Sequence, residues 1–96
     1  MGFKFEWDKR KAKRNLKKHG VSFEEASSVF GDPLANIFDD EVHSSNEERE
    51  YIIGHSSFQR LLIVFFTERT KDLIRVFSAR KTTKRERREY EENSKS

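Results

Sequence analysis

The chain has 96 residues, 33% apolar and 39% charged, with a formal net charge of +3, which bounds it to one domain (residues 1–96) with a modest core. It has no cysteine, so disulfides and thiolate metal sites are excluded, and no window approaches the roughly 18 apolar residues of a membrane span. Charge interrupts the apolar residues from the opening MGFKFEWD, unlike a secretory signal, and the expectation is a soluble, cytoplasmic protein.

The charge is segregated. Residues 1–20 hold eight Lys/Arg against two acids, residues 21–59 one Arg against nine acids, and residues 60–96 eleven Lys/Arg against six acids. Basic ends around an acidic middle suit one surface for phosphates and another for a basic protein, or else solvated faces with no partner.

The first predicted helix starts at Asp8, an N-cap for free backbone N–H groups, and stops at Gly20, which suits the left-handed position after a helix. Ala12, Leu16 and His19 share its apolar face, with Asn15 beside them as a buried polar residue, and its outer side is strongly basic. A short second helix opens on a Ser22/Glu25 capping box, buries Phe23, Ala26 and Phe30, and ends at Gly31 ahead of Pro33. Four strands follow: a weak one at residues 36–40, then 48–56, 60–67 with the continuous apolar LLIVFF, and 72–80. Short connections at 57–59 and 69–71 favour antiparallel hairpins. A last helix begins at Thr82 or Thr83 with a Thr83/Glu86 capping box and is polar all round except for Tyr90. It is expected to fray, with about residues 90–96 as a disordered tail. The order predicts an α+β fold: two N-terminal helices, a four-stranded antiparallel sheet and a C-terminal helix.

Two stretches carry a family resemblance. Trp7, Asp8, Lys11, Asn15, Lys18, His19, Gly20 and Phe23 follow the W-D, Lys, N-x-x-K-H-G, Phe order that opens the BrnT toxins. Glu68–Arg69, then Ile74, Arg75, Ser78, Ala79 and Arg80, then Glu86, Arg87, Arg88, Tyr90 and Glu91 are similar to the later E-R, I-R-x-x-S-A-R and E-R-R-x-Y-E segments. The chain thus resembles that family over residues 3–92. The resemblance implies a RelE-like fold and a metal-independent endoribonuclease of a type II toxin–antitoxin system. It implies no cofactor and a BrnA-type ribbon-helix-helix antitoxin as partner, with DNA reached only through the antitoxin complex.

RNA cleavage without a metal uses the ribose 2′-hydroxyl as nucleophile. It needs a base at that hydroxyl and cations around the phosphate, for which the always-charged arginine fork is suited. Arg80 is the leading catalytic candidate, at a strand end before a helix N-terminus; the opposing reading is an arginine paired with an acid. Arg69, Glu68 and Arg75 complete the catalytic set, Glu68–Arg69 being read either as a base and a phosphate contact or as an ion-paired turn beside Lys71 and Asp72. Strand register is expected to gather His55, Arg60, Arg80 and Lys81 into one cationic cluster, with Glu68 and Arg69 roughly 20 Å away at about 3.3 Å per residue. Simple alternation puts Arg75 on the opposite face of the sheet from Arg80. Lys11, Lys18 and Lys84 are candidates for RNA backbone contacts or for solvated faces. His19 is a candidate RNA contact or a helix-end structural residue. His43 is read as a loop residue. The acids at 39–41 with His43 have no specific metal-ligand spacing. Two alternatives to the nuclease stand: a non-catalytic nucleic-acid-binding module, and an antitoxin-binding co-repressor without activity.

Overall fold

A computed structural model describes residues 2–42 and 48–94; His43 lies outside them. Asp8 caps α1 (Lys9–His19) by accepting from the Arg10 and Lys11 amides, and Gly20 ends it at φ +70°, a conformation open to glycine at little steric cost. Ser22 accepts from the Glu25 amide and starts α2 (Phe23–Ser28), which continues as a 3-10 turn over Val29–Gly31.

The sheet differs from the expected four antiparallel strands. It has five, ordered β1-β5-β4-β3-β2, from β1 (Lys4–Glu6), β2 (Asn36–Asp39), β3 (Glu50–His55), β4 (Leu61–Thr70) and β5 (Leu73–Lys81). The pairings of β2 through β5 are antiparallel, whereas β1 lies parallel to β5 at the far edge. Three residues are too few to show a period, so FKFE carries no strand signal of its own; pairing with β5 stabilises it.

Helices cover both faces. On one face α2 and its approach place Val21, Phe23, Ala26 and Val29 against Ile52, Leu62, Val64, Phe66, Ile74, Val76 and Ala79. On the other, Tyr90 of α3 (Lys84–Ser94) packs with Ile53, Leu61 and Ile63, beside Phe38, Tyr51 and Phe65. LLIVFF feeds both layers, as a strand buried on two faces should. Tyr90 also carries α3 into the stretch expected as a tail: it is 6% exposed and anchors a helix that runs to Ser94.

Two details of β5 set up the site. Phe65 pairs with Ser78 but Phe66 with Val76, so Phe77 is an extra, bulged residue. A bulge shifts the alternation by one, so Arg75 and Arg80 share the α3 face, contrary to the simple alternation. And β1 pairs only as far as Arg75. Beyond it, the Asn15 amide takes over the open edge. It donates to the carbonyls of Ala79 (2.8 Å) and Val21 (2.9 Å) and accepts from the Ala79 amide (3.1 Å). Asn15 is thus the buried residue of α1, whereas Leu16, expected on the apolar face, is 51% exposed.

Candidate functional site

The register separates the four residues expected as one cationic cluster. Arg60 turns toward α2, where its Nε donates to Glu25 Oε2 at 2.8 Å, its Nη2 to Glu25 Oε1, and the same Nη2 to the Gly20 carbonyl at 2.9 Å. Glu25 also accepts from the Ser56 hydroxyl at 2.7 Å. The Arg60 hydrogen bonds hold the Glu25 carboxyl below the usual carboxylate range, with the Ser56 hydroxyl and the Lys81 charge adding to it against the opposing effect of burial. Only the Ser22 half of the capping box therefore forms, its hydroxyl accepting from the Glu25 amide, because Arg60 claims the Glu25 carboxylate. Lys81 pairs with Leu62 of the α2-side core, so it and Arg60 belong to one face.

His55 and Arg80 belong to the other face, and α3 occupies both. Arg80 forms a two-pronged pair with Glu86, Nη1 to Oε1 at 2.8 Å and Nη2 to Oε2 at 2.9 Å, and Nη1 also donates to the Lys81 carbonyl at 3.2 Å. Arg80 holds the Glu86 carboxyl below its ordinary value, and the Thr83 amide that donates to Glu86 in the capping box adds to this. His55 Nδ1 lies 3.1 Å from the Tyr90 hydroxyl, which donates to Asp32 Oδ2 at 2.9 Å. Burial pushes the Asp32 carboxyl up, but the amides of His55 and Leu34 and the Tyr90 hydroxyl outweigh it, and it sits below the usual range. The residue expected to lead catalysis is thus an arginine whose fork is already matched by a carboxylate.

Guanidinium groups from separate strands do converge, at the opposite end of the same face. Glu6 of β1 lies beside Arg75 of β5. Its Oε2 accepts from Arg75 Nη1 at 2.9 Å, and Arg69 Nε of β4 is 3.6 Å from the same oxygen. The three side chains are 36%, 29% and 45% exposed, respectively, so the cluster opens to solvent. Glu68, expected as their partner, pairs with Ile74 of the α2-side core and by alternation faces away from Arg75. The carboxylate of the cluster is therefore Glu6, which the sequence reading missed because a three-residue strand gives no periodic signal.

From this cluster toward Arg80, the α3 face continues through the bulge. Phe77 has the Arg49 guanidinium 4.1 Å from its ring centroid and the Lys11 ammonium 5.5 Å from it. Asp40, Arg49, Phe65, Phe77 and Ser78 line a cleft of about 150 Å³, and Arg80 lies 5.9 Å from the Phe65 centroid. The strip thus runs from Arg69 and Arg75 past an aromatic–cation step to Arg80. Lys18 and Lys84 are exposed on helices and His19 is partly buried at the end of α1. Among the described residues, no three His, Asp or Glu side chains group as metal ligands, and no helix is long and apolar enough to cross a membrane.

An arginine pair beside one carboxylate can bind a phosphodiester and take up a proton next to it. Residues 7–86 match the family model described as the ribonuclease toxin BrnT of type II toxin–antitoxin systems. A crystal structure of the Brucella abortus ribonuclease toxin BrnT is 23% identical, covers 85% of this chain and 99% of that chain, and superposes with a TM-score of 0.65, which is a likeness of fold. No curated protein sequence matches the chain closely.

Proposed function

Because the chain belongs to the BrnT family of ribonuclease toxins of type II toxin–antitoxin systems, we propose that it is a metal-independent endoribonuclease. It cleaves cellular RNA, stops translation, and is neutralised by a BrnA-type ribbon-helix-helix antitoxin through which the complex reaches DNA. The observation that carries the catalytic reading is the meeting of Arg69 and Arg75 at Glu6.

Each residue has a part in that reading. Arg75 spends one hydrogen bond on Glu6 out of the five N–H groups of a guanidinium, so it keeps donors for a phosphate. Arg80 gives three hydrogen bonds to Glu86 and the Lys81 carbonyl, so a phosphate there would first have to break a charge-assisted fork. Arg69 and Arg75 therefore hold the scissile phosphate and stabilise its pentacovalent state, and Glu6 takes the 2′-hydroxyl proton. The 2′-oxygen then bonds to phosphorus, the bond to the 5′-oxygen breaks, and that oxygen takes a proton from solvent. The products are a 2′,3′-cyclic phosphate and a 5′-hydroxyl. Arg49 and Lys11 around Phe77 receive the neighbouring nucleotides, and Arg80 positions α3.

The test is incubation of purified protein with end-labelled RNA in excess EDTA. The reading expects cleavage to cyclic-phosphate ends, lowered about 100-fold or more in Arg75→Ala, the size expected for losing one transition-state donor. A requirement for added metal, or products with 5′-phosphates, contradicts it.

A further inference from the structure

On the face of the sheet away from Glu6, Arg69 and Arg75, α1 and α2 leave a groove of about 670 Å³. Its floor is apolar, made by Trp7, Ala12, Leu16 and Phe23, and its α1 rim is cationic, made by Lys9, Arg10 and Lys13. Leu16 is the anomaly: it sits one helical turn from Ala12, yet this fold leaves it 51% exposed. The eleven residues of α1 include no acid, and none of the three rim cations forms an ion pair among the described residues. Glu24 and Ser22 stand on the α2 side.

We infer that this groove docks an acidic amphipathic helix of the cognate antitoxin, apolar side on Leu16 and Trp7, with carboxylates toward Lys9, Arg10 and Lys13. The inference rests on the antitoxin part of the proposed function and adds the place and chemistry of that contact. A helix with apolar residues at i, i+3 or i+4 and i+7 is the shape such a floor takes, and unpaired cations on one rim select its charge. RNA fits poorly, because an apolar floor returns nothing for the desolvation of phosphates.

Two measurements on the complex of the full-length chain with its co-expressed antitoxin test this. Hydrogen exchange of the α1 amides should slow on complex formation. Leu16→Glu should weaken antitoxin binding about 30-fold or more, the scale of an interface hot spot, and Lys13→Glu should weaken it and flatten the dependence on salt, because salt then has less attraction to screen. Both variants should melt near wild type, since the altered side chains are exposed, and should cleave RNA at the wild-type rate, since the groove lies across the sheet from the arginines. Wild-type antitoxin affinity in Leu16→Glu, or protection confined to β2 or α3, overturns the inference while leaving the proposed function standing. Altered RNA binding in Leu16→Glu would make RNA the occupant, and a wild-type dimer turned monomeric by it would make a second copy the occupant; either overturns the inference. Absence of any complex with wild type overturns the antitoxin reading itself, and this inference with it.

Discussion

Asn15→Ala should be the most destabilising change of a polar side chain on α1, although it lies far from the arginine cluster. The Asn15 amide exchanges hydrogen bonds with Ala79 in both directions and donates to Val21, standing in for a sheet neighbour where β1 has ended. Truncation leaves the Ala79 amide and two carbonyls without those partners in a site that is 7% exposed. Each stranded buried group costs roughly 1–3 kcal/mol, and carbonyls sit at the low end, so the loss should be about 3–4 kcal/mol. At about 4–8 °C per kcal/mol for a domain of this size, the melting temperature should fall by roughly 12–30 °C. Asn15→Asp keeps the acceptor for the Ala79 amide but faces two carbonyls with a carboxylate, and should cost at least as much. Urea unfolding followed by circular dichroism measures both. If both variants lie within about 0.5 kcal/mol of wild type, as for an ordinary surface change, the sheet-edge role assigned to Asn15 is wrong.

Arg60→Ala should destabilise by about 3 kcal/mol, because it leaves the buried Glu25 carboxylate without its ion-pair partner; denaturant midpoints will show it. The Glu25 carboxyl is lowered in the folded state, so its contribution is complete above the ordinary carboxylate range and is lost as pH falls through its depressed value. Glu25→Gln should therefore lower stability at neutral pH and flatten the acid limb of the stability–pH curve. At Gly54 an added Cβ would meet the Ala35 Cβ at 2.8 Å and Asp32 Oδ2 and Val29 Cγ1 at 3.1 Å; Gly54→Ala should cost about 2 kcal/mol by overpacking, read as a lower melting temperature. Tyr90→Ala should release α3, whose buried anchor it is. Amides of α3 should then exchange as freely as those of an unfolded segment while β4 keeps its protection.

Much of the fold was legible where local chemistry decides it. Asp8, Gly20, Ser22 and Thr83 mark helix ends by satisfying particular backbone groups, and LLIVFF announces a strand covered on both sides. The illegible parts depend on partners distant in sequence. Lys4–Glu6 becomes a strand only because β5 leaves an edge, and the bulge at Phe77 reverses the face of Arg75 without any glycine to announce it. The site followed the same division. Their motifs single out Arg69 and Arg75 as candidates, but the carboxylate they meet comes from β1 at the other end of the chain. The pairing of Arg80 with Glu86 was open to reading: the Thr83/Glu86 capping box sits just after Arg80, and Glu86 is within reach of both the box and the guanidinium. Glu25 behaves likewise, turning from its own box to Arg60.

The most direct test is a single-turnover comparison of Arg75→Ala and Arg80→Ala on the same RNA, with EDTA present and folding checked by melting. The Glu6–Arg69–Arg75 account predicts that Arg75→Ala loses at least about 100-fold in the cleavage step while Arg80→Ala stays within a few-fold of wild type. A collapse in Arg80→Ala with near-normal cleavage by Arg75→Ala would put the chemistry under α3 and contradict the account.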